Sequence, residues 1–79
     1  MNELRMKLIG EALRRERRLQ DKTLVQVANA IGLKENTISA YEKGKIQIPI
    51  DNLDAYCSYL NIDYLDFLRQ IQNQMRDTQ

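Results

Sequence analysis

Glu35, Asn36, Thr37 and Ala40 crowd between two glycines, Gly32 and Gly44, and their side chains match what the edges of DNA bases offer. Asn can pair with adenine N6 and N7, Glu can accept from cytosine N4, and Ala or the methyl of Thr can touch a thymine methyl. Lys34, Lys43 and Lys45 flank this run with ammonium groups able to reach phosphates, which position a protein without reading sequence. The same residues also suit plainer work, since Glu is at home in the first turn of a helix. Residue types alone leave both uses open.

Other chemistries are poorly supplied. The chain has no His, which removes the commonest general base and the commonest metal ligand. With Cys57 as the lone cysteine, no zinc site of ordinary spacing can be drawn and no intramolecular disulfide can form. Neither a catalytic role, a metal nor a cofactor is expected. One free thiol suits a reducing cytoplasm, and no apolar run is long enough to span a membrane. A cytoplasmic location is the expectation. The net charge of +1 hides a split: residues 1–45 carry +4 and residues 46–79 carry −3. A basic front half suits an anionic partner, although a short chain can show such a split by chance.

The elements that would position these groups can be read from apolar spacing. Leu4, Leu8, Ile9, Ala12 and Leu13 recur at helical steps up to Leu19, with the basic run "RRERR" at its far end. Arg14, Arg15 and Arg18 read most simply as a solvated helix face. "TLVQ" has the form of a capping box, with Thr23 and Gln26 as its reciprocal partners, opening a second helix over 23–31. Gly32 stops that helix in a left-handed turn, and Gly44 stops a third over 35–43, with Ile38 and Tyr41 facing inward. Pro49 suits the first turn of a fourth helix, whose inner face would be Ile50, Leu53, Tyr56, Cys57 and Leu60. Asp63 is a fair cap for a fifth helix from Tyr64. Leu65 and Leu68 are expected to close the core. Ile71 and Met75 admit either packing on the same domain or contact with a second copy, and residues 76–79 are expected to fray. The fold class is therefore all-α, with a helix-turn-helix spanning the second and third helices and "IGLK" between them.

In four ordered pieces the sequence resembles the phage repressor and Cro-like regulators, the XRE type of helix-turn-helix protein. The pieces are "IGEALRRERR" at 9–18, "TLVQVANAIGL" at 23–33, "NTISAYEKGK" at 36–45 and "LDAYCSYLNIDYLDFL" at 53–68. The resemblance implies a compact five-helix, lambda-repressor-like DNA-binding domain over 1–70, followed by a helical extension or tail over 71–79. It implies that the third helix is the recognition helix, with Glu35, Asn36, Thr37 and Ala40 facing base edges and Ser39 at the margin. It also implies that Arg17 and Glu42 form a structural ion pair between the first helix and the end of the third. The chain departs from the family pattern at Leu24, where Gln usually begins the second helix and holds a phosphate. Phosphate contact there would fall to Thr23, Gln26 or backbone amides, with Lys34, Lys43 and Lys45 supplying the rest. Lys34 also stands where the family usually has a Ser or Thr cap.

The resulting expectation is a sequence-specific double-stranded DNA-binding transcriptional regulator, a repressor that binds a near-palindromic operator as a homodimer. Seventy-nine residues are expected to hold no ligand-sensing domain, so control would come from concentration or a regulatory protein partner rather than a small molecule. A rival expectation is a protein-interaction module, such as an antitoxin or antirepressor component, that uses the same fold to hold another protein.

Overall fold

The structure, a computed structural model, describes residues 3–78. Within them five helices follow one another: α1 Glu3–Leu19, α2 Leu24–Ile31, α3 Glu35–Glu42, α4 Ile50–Tyr59 and α5 Tyr64–Thr78. The all-α architecture agrees with the apolar spacing, and the described residues include no strand. α1 packs on α3 and α5, α2 packs on α3 and α4, and α4 closes onto α5. The two short helices α2 and α3 are thus held by α1 and α4, which α5 braces in turn.

One device ends four of the helices. Lys22 N–H donates to Arg17 O at 3.0 Å, Leu33 to Ala28 O at 2.9 Å, Lys45 to Ala40 O at 3.0 Å and Ile62 to Cys57 O at 2.8 Å. Each bond spans five residues and follows a residue in the left-handed region, the pattern that satisfies orphan carbonyls at a helix end. Gly32 and Gly44 take that conformation at φ +74° and +69°, without a Cβ to obstruct it. Asp21 and Asn61 take it at φ 56° and 57°, and these are the two side-chain types that tolerate it best after Gly. The helix starts are equally local. Thr23 and Gln26 form the expected capping box, and Asp63 caps α5 by accepting from Asp66 N–H at 3.0 Å. Pro49 and Lys43 fall just outside α4 and α3, as caps rather than helical residues.

The centre of the core is Leu13, Val27, Ile38, Tyr56, Cys57 and Leu60, all fully buried. Two expected core residues are not there. Leu65 is 67% exposed, and Phe67 at 4% takes the inward role instead. Tyr64, Phe67, Leu68, Ile71 and Met75 share a stripe at steps of three and four, and Leu65 lies about 100° away from Tyr64 on the helix. Ile50 is also 67% exposed. It sits in the first turn of α4, and the extended connection before it buries Ile48 instead. Ile71 and Met75 are buried within this chain, which settles their two readings in favour of packing on the same domain. α5 runs unbroken past residue 70, and helix persists through Thr78 where fraying was expected. The remaining residue of that expectation, Gln79, lies outside the described residues.

Gly10 is a core position that apolar spacing did not single out. A Cβ built on it would lie 2.5 Å from the Glu42 carbonyl oxygen and in hard contact with that of Tyr41. Its missing side chain is what lets α1 rest against the C-terminal end of α3.

Candidate nucleic-acid interface

α3 has two sides with different tasks. Ile38, Tyr41 and Glu42 share one side, at steps of three and four, and all three are buried. Asn36, Ala40 and Lys43 share the other. Asn36 and Lys43 are exposed and Ala40 is half-buried. Glu35, exposed, and Thr37 and Ser39, half-buried, lie along the margins of this outer stripe. The five residues expected to face bases therefore converge on one accessible strip about two turns long.

A buried polar network fixes how that strip is held. Arg17 Nε donates to Glu42 Oε2 at 2.7 Å and its NH2 group donates to Oε1 at 2.9 Å, a two-pronged ion pair. A third Arg17 nitrogen donates to the Lys22 carbonyl at 2.8 Å, which also pins the α1–α2 turn. The Tyr56 hydroxyl donates to Glu42 Oε2 at 2.5 Å, bringing α4 into the network. Arg17 is 8% exposed and Glu42 is 6% exposed. Replaced together by well-fitting apolar residues, such a pair often costs little, but removing one partner strands a buried charge. The network's value lies in geometry, since it fixes the C-terminal end of α3 to α1 and α4. The bond to Glu42 keeps Arg17 more firmly charged than usual, against the opposing pull of burial. Burial first, and then the bond to Glu42, push the Tyr56 phenol well above its ordinary range. Asn52 donates to the Tyr41 hydroxyl at 3.2 Å, a second tie between α4 and α3.

The residues expected at phosphates are spread along the same side. Thr23 and Gln26 are exposed at the start of α2, but the capping box uses the Thr23 Oγ1 and Gln26 Oε1 acceptors. The Thr23 hydroxyl proton and the Gln26 amide NH2 remain as donors. Lys34 precedes α3, in extended conformation and with no side-chain cap bond. Its ammonium is exposed, as are those of Lys43 and Lys45 beyond the other end. The Thr37 amide donates to the Lys34 carbonyl at 3.0 Å, and the start of α3 carries partial positive charge, a favourable place for an anion.

Tyr56 and Gly10 are supports that the sequence reading did not assign. A Tyr at core spacing gives no hint of a carboxylate partner on another helix. A Gly inside a helix does hint at a close approach. Cys57 lies in the core, where burial and then the charge of Asp54 push its thiol up to about 11. Among the described residues, no three of His, Cys, Asp or Glu cluster closely enough to hold a metal ion. None of their helices is long and apolar enough to cross a membrane.

Residues 13–67 match the helix-turn-helix family, well over half of the chain. The chain belongs to the XRE-type helix-turn-helix family. Its solved relatives include the clp gene regulator ClgR from Corynebacterium glutamicum, at 28% identity and a TM-score of 0.79, over 91% of this chain and 92% of that one. The restriction-modification controller protein C.AhdI from Aeromonas hydrophila shares the helix-turn-helix fold at a TM-score of 0.74, over 78% of this chain and 94% of that one. At 19% identity that likeness concerns fold alone. Antitoxin PezA from Streptococcus pneumoniae is 28% identical over 61 residues, which are 77% of this chain and 39% of that protein. The family chain thus spans well under half the length of that relative.

Proposed function

We propose that the chain is a sequence-specific double-stranded DNA-binding transcriptional regulator. The observation that carries this reading is the exposed strip of α3, held clear of the core by Ile38, Tyr41 and the Arg17–Glu42–Tyr56 network. A helix presented in this way can enter a major groove while the helix before it braces it across the backbone. Asn36 and Glu35, with Thr37, Ser39 and Ala40, would meet base edges. Thr23, Gln26, Lys34, Lys43 and Lys45 would meet phosphates. The likeness to ClgR, titled a gene regulator, supports the same reading.

In its finer form the reading is a cytoplasmic repressor acting as a homodimer on a near-palindromic operator. Half-sites would then lie one helical turn, about 34 Å, apart. Selection from a random duplex pool with purified protein tests it. A two-fold symmetric motif supports a dimeric operator binder, whereas an unenriched pool from folded protein rejects sequence-specific binding.

The likeness to an antitoxin lends weaker support to a second reading, in which the fold chiefly holds another protein. Salt separates the two. Phosphate contacts release counterions, so duplex binding should fall steeply with salt, with a log–log slope of about −0.9 per contact. A protein-holding module would bind duplex weakly and with little such dependence.

A further inference from the structure

Two exposed patches of opposite charge lie apart on the surface. The first is the outward side of α1. Arg17 points at Glu42, and Arg15 and Leu19, each two residues from it, stand about 200° around the helix, on the side away from α3. A shallow recess of about 430 Å³ opens there, lined by Glu11, Arg14, Arg15, Arg18 and Leu19. Its walls are the apolar stems of the arginines, whose charged heads stand in solvent, and Leu19 is 71% exposed. Among the described residues, Arg14, Arg15 and Arg18 have no ion-pair partner. Three arginines against Glu11 leave this patch at +2.

The second patch is the outward side of α4. Ile50 and Asp54 are four residues apart, Asp51 and Asp54 three, and all of them are exposed. Ile50 is thus an apolar projection flanked by two carboxylates that also have no ion-pair partner among the described residues. No cation tempers them nearby in sequence, since residues 46–68 hold four Asp and no Lys or Arg. The Gln20 side chain donates to the Leu60 carbonyl at 2.7 Å, so the end of α1 rests against the opposite end of α4 from Ile50. The ten residues of α4, about 15 Å of helix, keep the two patches separate.

We propose that these patches are the two halves of one contact between copies of this chain, in which Ile50 of one copy enters the α1 recess of the next beside Leu19. Charge chooses the occupant. Pairing either patch with itself across a two-fold axis would set like charges face to face, which opposes association. Pairing the unlike patches sets the −2 of Asp51 and Asp54 against +2 and covers two highly exposed apolar side chains together. Because different surfaces meet, the contact does not close on itself. Each copy keeps one free patch, and the arrangement can run on from copy to copy. This goes beyond a pair of chains on one near-palindrome. Neither patch includes a residue of the outer strip of α3, so linked copies could occupy neighbouring sites on one duplex cooperatively.

Sedimentation equilibrium of the free chain at low and high salt tests the contact without DNA. At low salt the weight-average mass should climb past twice 9.3 kDa as concentration rises, and at high salt it should fall back. Arg15→Glu/Arg18→Glu should not associate, because both of its patches are then acidic. Asp51→Lys/Asp54→Lys should not associate either, because both are then basic. An equimolar mixture of the two should associate again, each variant offering what the other lacks. Ile50→Ser leaves every charge in place and should also weaken association. A wild type that stays monomeric, a mass that levels at a dimer, or an Ile50→Ser protein that associates as wild type does would each overturn the contact. So would folded charge variants that stay apart on mixing. Random-duplex binding measured alongside separates the two readings, since a monomeric chain that still binds duplex overturns this contact alone.

Discussion

Replacing Gly10 by alanine would ordinarily stabilise a helix, because Ala exceeds Gly in helix propensity by about 0.8–1.0 kcal/mol. Here the added methyl would sit 2.5 Å from the Glu42 carbonyl oxygen and clash with the Tyr41 carbonyl oxygen as well. Both obstacles are backbone atoms, so no side chain can turn aside. α1 must back away from α3, which loosens Leu13, Ile38 and the Arg17–Glu42 contact together. Overpacking costs typically about 1–3 kcal/mol, and two backbone clashes place this site at the upper end. After the propensity gain is subtracted, a net loss of about 1–2 kcal/mol remains. For a domain of this size that corresponds to a fall in melting temperature of roughly 4–16 °C. Thermal melts followed by far-ultraviolet circular dichroism would measure it, with urea unfolding as a second estimate. A Gly10→Ala protein that melts at or above wild type would refute the claim that α1 and α3 meet through a gap only Gly can leave.

Four further outcomes are expected. Glu42→Ala strands the buried Arg17 charge and should cost about 3–5 kcal/mol in urea unfolding, whereas Arg17→Met/Glu42→Leu should cost distinctly less; similar losses would contradict a geometric role for the pair. Asn36→Ala should lose ~1–3 kcal/mol on a selected operator and little on random DNA in titrations at fixed salt, with equal losses excluding a base contact. Lys43→Ala should weaken both alike and lower the salt slope by about one, and an unchanged slope would exclude its phosphate contact. Stability should also fall in alkali. The Cys57 thiol is raised from 9.0 to about 11, and the Tyr56 phenol is raised too, so both are held neutral in the folded chain. The Cys57 contribution is fully present below pH 9.0 and is lost as pH rises through about 11, while that of Tyr56 is fully present below 10.0 and declines above it, since unfolding then releases protons. A urea midpoint that stays level across that window would show that neither group is buried as described.

Features decided within a few residues were legible before the fold was known. The Thr23–Gln26 capping box and the stops at Gly32 and Gly44 depend on neighbours one turn away, and they occur where the spacing placed them. Asp21 and Asn61 make the same left-handed stops, but their side chains adopt that conformation only in some settings, so type alone did not mark them. The C-terminal helix was ambiguous for another reason. It carries apolar residues at both 64 and 65, and only packing against α1 and α4 selected the face with Phe67 over that with Leu65. Arg17 and Glu42 are 25 residues apart, and no local rule links them; the family resemblance pointed to their pairing. The Tyr56 bond to Glu42 had no such pointer. The outer strip of α3 was easier, since an inward Ile38 and Tyr41 leave Asn36 and Ala40 nowhere else to face.

The two-sidedness of α3 has a consequence for how such a chain can change over generations. The buried residues that anchor the helix are Ile38, Tyr41 and Glu42, while Glu35 and Asn36 are exposed to solvent. Substitutions at exposed positions of this kind usually shift stability by no more than about 0.5 kcal/mol. If α3 reads DNA as proposed, its reading surface is therefore a replaceable insert on a permanent mount. A duplicated copy of this chain could acquire a new target through a few exposed changes and begin from a protein that already folds.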